Sequence, residues 1–162
     1  MGILKPDLYF EKVEDIDVSQ MVKMGIKAIL LDIDNTLTEH NNTEPCVGAV
    51  GFVKKAMENG MKVCIVSNNT QVRAEEFAGK MGVPFVYKAK KPLSIGYKRA
   101  MEILGVKKCE VMTVGDQVFT DIAGGRMFGI LTVMVKPISF TGETGFIRFK
   151  RLLEKPFVRK FY

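Results

Sequence analysis

The sequence predicts an α/β fold, a doubly wound parallel sheet with helices on both faces. Two observations carry that prediction. Five short apolar runs of strand length recur along the chain, each a few residues after a glycine. Between them the apolar positions take up helical spacing. Strands alternating with helices are the order that right-handed βαβ crossovers build into a parallel, three-layer sheet.

The first run is Ala28-Ile29-Leu30-Leu31, after Gly25. It is apolar throughout, as a strand covered on both faces must be. Residues 45–59 read as a helix, weakened by Gly48 and Gly51. Gly60 then precedes the run Val63-Cys64-Ile65-Val66, and Ala74, Phe77, Ala78 and Met81 follow at i, i+3, i+4 and i+7. Gly82 precedes Val83-Pro84-Phe85-Val86, the third strand. Leu93, Tyr97, Ala100, Met101 and Leu104 make a second helical stripe, with Pro92 suited to a first helical turn. Gly105 stands before Val111-Met112-Thr113-Val114, then Phe119, Ile122, Ala123 and Arg126 suggest a shorter helix, and Gly129 stands before the last run, Ile130–Val135. Each glycine sits where a helix would end in a left-handed residue.

Composition sets the outer limits. With 162 residues, 47% hydrophobic and 26% charged, the chain reads as one globular domain, 1–162, rather than a disordered one. Cys46, Cys64 and Cys109 are odd in number and widely spaced, which excludes a disulfide scaffold and suits a reducing compartment. His40 is the only histidine, so a zinc site is poorly supported. No apolar run is long enough to span a membrane, and the acidic stretch Asp7–Asp17 does not resemble a targeting peptide, so the expectation is a cytoplasmic protein. The net charge of +6 is unevenly placed: residues 148–162 carry +5, leaving +1 for the rest.

In such sheets ligands bind beyond the carboxyl ends of the strands. The residues following the first four runs are Asp32, Asp34, Asn35 and Thr36; Ser67, Asn68 and Asn69; Lys88, Lys90 and Lys91; and Gly115, Asp116, Gln117, Thr120 and Asp121. Acids, a hydroxyl, amides and lysines therefore converge on one rim. Several carboxylates at one site call for a cation, and an all-oxygen donor set favours a hard ion, Mg²⁺ above all. Such a site suits a phosphorylated substrate: a carboxylate can attack phosphorus, a second acid can serve the leaving oxygen, and a hydroxyl and an ammonium can hold the remaining oxygens.

The order and wording of these motifs resemble the haloacid dehalogenase superfamily of phosphatases. Asp32-Ile33-Asp34-Asn35-Thr36 resembles its first motif, which implies Asp32 as nucleophile and Asp34 as general acid/base, the Asp34 backbone carbonyl also touching Mg²⁺. Ser67 resembles the phosphate-binding hydroxyl of the second motif, with Thr36 and Asn68 beside the substrate. Lys91 before Pro92 resembles the lysine of the third, with Lys90 as the competing assignment. Gly115-Asp116-Gln117-Val118-Phe119-Thr120-Asp121 resembles the fourth, implying Asp116 as a metal ligand and Asp121 as a further ligand, through water or behind the first shell. The intervals Asp34–Ser67 and Ser67–Lys91, 33 and 24 positions, leave no room for a cap domain, so the resemblance implies an open site. Asp-Asn-Thr-Leu, Val-Ser-Asn-Asn, Lys-Lys-Pro and Gly-Asp-Gln-x-x-Thr-Asp are similar to the capless IIIA-type phosphatases of the bacterial YqeG family. That family is related to the phosphatase acting on phosphatidylglycerophosphate, which implies a lipid-borne phosphomonoester as substrate.

Plainer readings stand beside these. Ser67 could cap a helix, the lysine run could be a solvated charge run, and Asp121 could anchor its own loop. His40 reads as solvent-exposed in a flap. A soluble phosphosugar or nucleotide is the alternative substrate; a phospho-signalling receiver or a non-catalytic partner-binding domain is the alternative class. In the segment 146–162, Phe146, Ile147, Phe149, Leu152, Leu153, Phe157 and Phe161 interleave with Arg148, Lys150, Arg151, Lys155, Arg159 and Lys160. It reads either as a helix docked on the body with its charges in water, or as a peripheral contact with the anionic inner membrane face. No stacking platform or fold motif points to nucleic acid.

Overall fold

A computed structural model of the chain describes residues 2–159. Six strands, β1 (Leu8–Phe10), β2 (Ala28–Leu31), β3 (Lys62–Val66), β4 (Phe85–Val86), β5 (Val111–Gly115) and β6 (Leu131–Val135), form one sheet in the order β1-β6-β5-β2-β3-β4. Every pairing is parallel. The chain runs outward from β2 to β4 and returns to β5 on the other side of β2, so the crossover direction reverses between β2 and β5. That is the switch point, where the loops beyond the two strands part and leave a crevice.

Alternate side chains of each strand face opposite ways. Ile29, Leu31 and Ile65 pack with Met21 of α1 (Val18–Lys23), Phe52 and Val53 of α2 (Val47–Glu58), and Ala74 and Phe77 of α3 (Gln71–Met81). Ala28, Leu30, Cys64 and Val66 pack with Tyr97, Ala100 and Leu104 of α4 (Ile95–Leu104) and Phe128 of α5 (Ala123–Phe128). The three-layer α/β arrangement is thus the one the sequence predicts. The intervals between the motifs hold only α2 with β3, and α3 with β4. The five predicted glycines all have positive φ, and α3 and α4 end directly on Gly82 and Gly105 in the left-handed region.

The departures are local and have local causes. The predicted strand 83–86 shortens to Phe85–Val86, because the Val83 N–H closes the end of α3 on the Ala78 carbonyl and Pro84 has no N–H to offer. Ile130 likewise bonds back to Gly125, so β6 begins one residue later. Pro92 and Leu93 precede α4 instead of opening it: the Leu93 N–H closes a turn on Lys90, and Leu93 is exposed. The predicted short helix is a single π turn, Val118–Ile122, running into α5. Strand β1 lies within the acidic stretch. Asp7 ties it to β6 by accepting from the Thr132 N–H at 2.9 Å and hydroxyl at 2.8 Å, and it also pairs with Arg126.

The C-terminal segment forms α6 (Gly145–Val158), with the Thr144 hydroxyl accepting from the Ile147 N–H at its start. It docks on the body and keeps Arg148, Lys155 and Arg159 exposed, but two of its charges, Arg151 and Glu154, turn inward. Glu154 and Val158 are its buried residues, while Phe146, Phe149, Leu152, Leu153 and Phe157 are exposed. Lys160 and Phe161 lie outside the described residues. No helix among those described is long and apolar enough to cross a membrane.

Gly96 lets α4 close on the loop after β4: a Cβ there would meet Ala89 Cβ at 2.5 Å and its carbonyl oxygen at 2.8 Å. Gly96→Ala is expected to destabilise the chain by about 1–3 kcal/mol. Gly79→Ala, on α3 with nothing within 4 Å, is expected to stabilise it by about 0.4–1 kcal/mol. Urea unfolding of both variants measures the difference.

Candidate active site

The site begins where β2 ends. The Asp32 N–H still pairs with Val114 of β5 at 3.0 Å, and the chain then turns sharply. Asn35 takes φ 58, its N–H bonding to Thr38 at 2.7 Å, while Leu37 bonds back to Ile33 at 2.9 Å. Asparagine tolerates this left-handed conformation better than most residues. The turn gives the two acids of the first motif different neighbours.

Asp32 meets the buried lysine. Lys91 Nζ lies 2.6 Å from Asp32 Oδ1 and 2.6 Å from Asp121 Oδ1. The other oxygen of Asp121 accepts from the Gln117 N–H at 3.2 Å and the Thr120 hydroxyl at 3.3 Å. Asp116, at the end of β5, is wholly buried and accepts from the Thr36 hydroxyl at 3.4 Å. Asp32, Asp116 and Asp121 each offer an oxygen, all within 4.8 Å of one another. Burial raises the Asp32 and Asp116 carboxyls above the ordinary range, Asp121 raises both further, and Lys91 and Arg151 oppose the shifts. Burial alone would lower Lys91, but Asp121 and Asp32 outweigh it and hold the ammonium charged. The three acids, all oxygen donors in a buried cluster, fit a hard divalent cation.

Of the lysine run, Lys91 alone enters this cluster; Lys88 and Lys90 are exposed, with φ of 44 and 56. Asn68 fixes the Lys91 peptide, its amide donating to the Lys91 carbonyl at 3.1 Å and accepting from the Lys91 N–H at 2.8 Å. Thr36 and Asn68, expected beside the substrate, thus have protein partners. Ser67 is buried and its Oγ accepts from the Asn69 N–H at 3.1 Å, which leaves its own hydrogen to donate. It is not the cap of α3, whose N-cap residue is Thr70.

Asp34 has separate company. Asn69 Nδ2 donates to one carboxylate oxygen at 2.5 Å and Arg73 Nη2 to the other at 2.5 Å. His40 Nδ1 lies 3.8 Å from that second oxygen, its side chain largely buried, so the reading of an exposed histidine is corrected. Arg73, in the first turn of α3, carried no sequence signal beyond its position after Ser67-Asn68-Asn69.

A second cation arrives from the far end of the chain. Arg151 of α6 pairs with Asp116 through Nη2, and its Nη1 donates to the Asp116 carbonyl at 2.9 Å. Glu143 accepts from Arg151 Nη2 at 3.0 Å and Nε at 3.1 Å, and from Asn35 Nδ2 at 2.9 Å. Glu154 lies 3.6 Å from Arg151 Nη1 and accepts from the Phe119 N–H at 3.1 Å; burial pushes its carboxyl up to about 7. In the sequence Arg151 is one of the tail cations, and Glu143 and Glu154 carry no signal of a site. All three belong to the wall of the site, because α6 turns that face inward.

An acidic turn at a switch point, facing a buried lysine and a second acidic loop, defines a class of hydrolase. The chain belongs to the haloacid dehalogenase-like hydrolases, whose family model matches residues 40–129, an interval that holds Ser67, Lys91, Asp116 and Asp121 and starts just after the Asp32 turn. Within that class it is 34% identical to the probable phosphatase YqeG of Bacillus subtilis, over 93% of this chain and 87% of that protein. It is 25% identical to phosphatidylglycerophosphate phosphatase 1 of Arabidopsis thaliana, over 96% of this chain and 47% of that protein. In fold it is similar to the 3-deoxy-D-manno-octulosonate 8-phosphate phosphatase of Moraxella catarrhalis, solved in complex with magnesium, phosphate and the sugar. The TM-score is 0.55 at 16% identity, covering 88% of this chain and 90% of that one.

Lys91→Met would leave Asp32 and Asp121 buried without their shared cation. The expected loss in urea unfolding, with a chelator present, is about 3–5 kcal/mol. Lys90→Met, on the exposed neighbour, should stay within about 0.5 kcal/mol of the parent.

Proposed function

We propose that the chain is a Mg²⁺-dependent phosphomonoester hydrolase that works through an aspartyl-phosphate on Asp32. The observation that carries this reading is the division of the two acids on one turn. Asp32 faces Lys91, Asp116 and Asp121, whereas Asp34 faces Asn69 and Arg73. Asp32, Asp116 and the Asp34 carbonyl would hold the ion, with Asp121 behind them or bridged by water. Magnesium, when bound, neutralises charge on the phosphoryl oxygens and so admits an anionic nucleophile.

An Asp32 carboxylate oxygen bonds to phosphorus as the bond from phosphorus to the ester oxygen breaks. The leaving alkoxide takes a proton from Asp34. A water then gives a proton to Asp34 and attacks the same phosphorus. The bond to Asp32 breaks, and inorganic phosphate departs with Asp34 protonated again. Lys91 offsets charge on Asp32 and the transferring group throughout, and the Ser67 hydroxyl is free to donate to a phosphoryl oxygen.

For the substrate, two supports point to a lipid-borne ester such as phosphatidylglycerophosphate. Relatives in Arabidopsis thaliana and Chlamydomonas reinhardtii are named for that activity. The outward face of α6 also combines exposed Phe146, Phe149, Leu152, Leu153 and Phe157 with exposed Arg148 and Lys155, and Phe140 is exposed just before the helix. Aromatics with cations suit an anionic bilayer surface at the rim of an open site.

Purified chain should release phosphate from p-nitrophenyl phosphate with Mg²⁺ and not with a chelator, and Asp32→Asn should fall to background while keeping its circular dichroism spectrum. Asp34→Asn should slow an alkyl phosphate by roughly 10²–10⁴-fold. Its effect on p-nitrophenyl phosphate should be smaller, since p-nitrophenolate leaves without a proton. Turnover that ignores both the chelator and Asp32→Asn would sink the mechanism. For the surface contact, the chain should sediment with vesicles rich in phosphatidylglycerol and not with phosphatidylcholine alone. Phe149→Ser combined with Leu153→Ser should weaken it several-fold, and equal binding to both vesicle types overturns the assignment.

A further inference from the structure

Arg151 does more to Asp116 than balance its charge. Nη2 pairs with Oδ2 and Nη1 donates to the backbone carbonyl of the same residue at 2.9 Å, so one guanidinium grips Asp116 at side chain and main chain together. Its remaining contacts fix it in turn. Glu143 Oε1 accepts from Nη2 at 3.0 Å and from Nε at 3.1 Å, and the same oxygen accepts from Asn35 Nδ2 at 2.9 Å. Asn35 belongs to the turn that carries Asp32 and Asp34. The pair Arg151–Glu143 therefore joins the two loops that would hold the ion. The side chains of Asp116 and Glu143 are 0% and 1% exposed and that of Arg151 is 12% exposed. Ion pairs so buried add little stability once desolvation is counted. Geometry is what this one supplies.

The other oxygen of Asp116, Oδ1, meets the Thr36 hydroxyl at 3.4 Å. Asp32 is arranged alike, with Lys91 on Oδ1 at 2.6 Å. Each acid thus has one oxygen paired with a cation of the chain and one that is not. We propose that Arg151 is a positioning residue for the cation: it holds Asp116 to ligation through a single oxygen and so selects Mg²⁺ over a larger ion such as Ca²⁺. This rests on the Mg²⁺-dependent phosphatase reading above and adds a source of its ion selectivity. Mg²⁺ demands near-ideal octahedral geometry and keeps several waters, whereas Ca²⁺ takes about six to eight oxygens and accepts a carboxylate through one oxygen or both. A lysine, as a point charge, could not hold the carboxylate, the carbonyl and Glu143 in one plane.

Mn²⁺ serves as the probe ion. The electron paramagnetic resonance of free Mn²⁺ reports how much the chain binds, and displacement by Mg²⁺ or Ca²⁺ gives a dissociation constant for each. Both ions carry the same charge, so a lost guanidinium or a weakened fold moves the two constants together, and their ratio reads the ligand geometry. In Arg151→Met the ratio of the Ca²⁺ constant to the Mg²⁺ constant should fall about 10-fold or more, and in Arg151→Lys part of the way. Where a thermal melt shows Arg151→Met unfolded, Glu143→Gln, which keeps the guanidinium and weakens its seat, should lower the ratio by a smaller factor. Asp116→Asn should lose Mn²⁺. A ratio unchanged in the folded variants, or Mn²⁺ binding that ignores Asp116→Asn, overturns the role of Arg151 and leaves Mg²⁺-dependent release from p-nitrophenyl phosphate to stand or fall by itself. If the parent chain binds none of the three ions, the phosphatase reading falls, and the role of Arg151 with it.

Discussion

The crowding of carboxylates in a buried space is the constraint on which the rest of this structure depends. Asp32, Asp116 and Asp121 are each less than a tenth exposed and lie within reach of one another, joined by the buried Glu143 and Glu154. Charges so placed repel strongly, since little water screens them. Two side chains answer the repulsion. Lys91 bridges Asp32 and Asp121, and Arg151 bridges Asp116, Glu143 and Glu154. Each cation has more than one acid to balance, so the cluster keeps a negative surplus into which a divalent ion fits.

The backbone is shaped to make that crowding possible. Gly115 is glycine because Asp121 folds back over the end of β5, and a Cβ would fall 2.2 Å from its carboxyl carbon. The parallel register places Leu31 beside Ile65 and Val114, so the loops that follow leave the sheet at one level. Asp32 and Asp116 come from the two strands that flank the switch point. Lys91 reaches them from the loop after β4, whose shape Asn68 fixes from the end of β3. Four strand ends are thereby committed to one small volume.

What could be read in the sequence is what depends on local periodicity. The apolar runs, the glycines that end helices and the acids just beyond the strands all announce themselves within a few residues. Element boundaries failed where one backbone group had two claims on it, as at Val83 and Ile130, whose N–H groups finish a helix and so cannot start a strand. Arg73 and Arg151 were invisible for a different reason. A surface arginine and a buried one look alike in a sequence, and only the tertiary fold sets Arg73 against Asp34, 39 positions away, and Arg151 against Asp116, 35 positions away. The same holds for His40: its polar neighbours suggest solvent, but the fold sets its Nδ1 3.8 Å from Asp34.

The C-terminal helix follows from the same electrostatics. A helix with aromatics and cations interleaved has two ways to dock, and the ordinary one buries the aromatics. Here the body offers a pocket already overfull of negative charge, and a guanidinium placed there gains several charge-assisted hydrogen bonds at once. That attraction decides which face of α6 turns inward: Arg151 and Glu154, one turn apart, go to the site, and the opposite face takes the phenylalanines and leucines outward. The exposed apolar stripe is therefore a consequence of how the acids are neutralised.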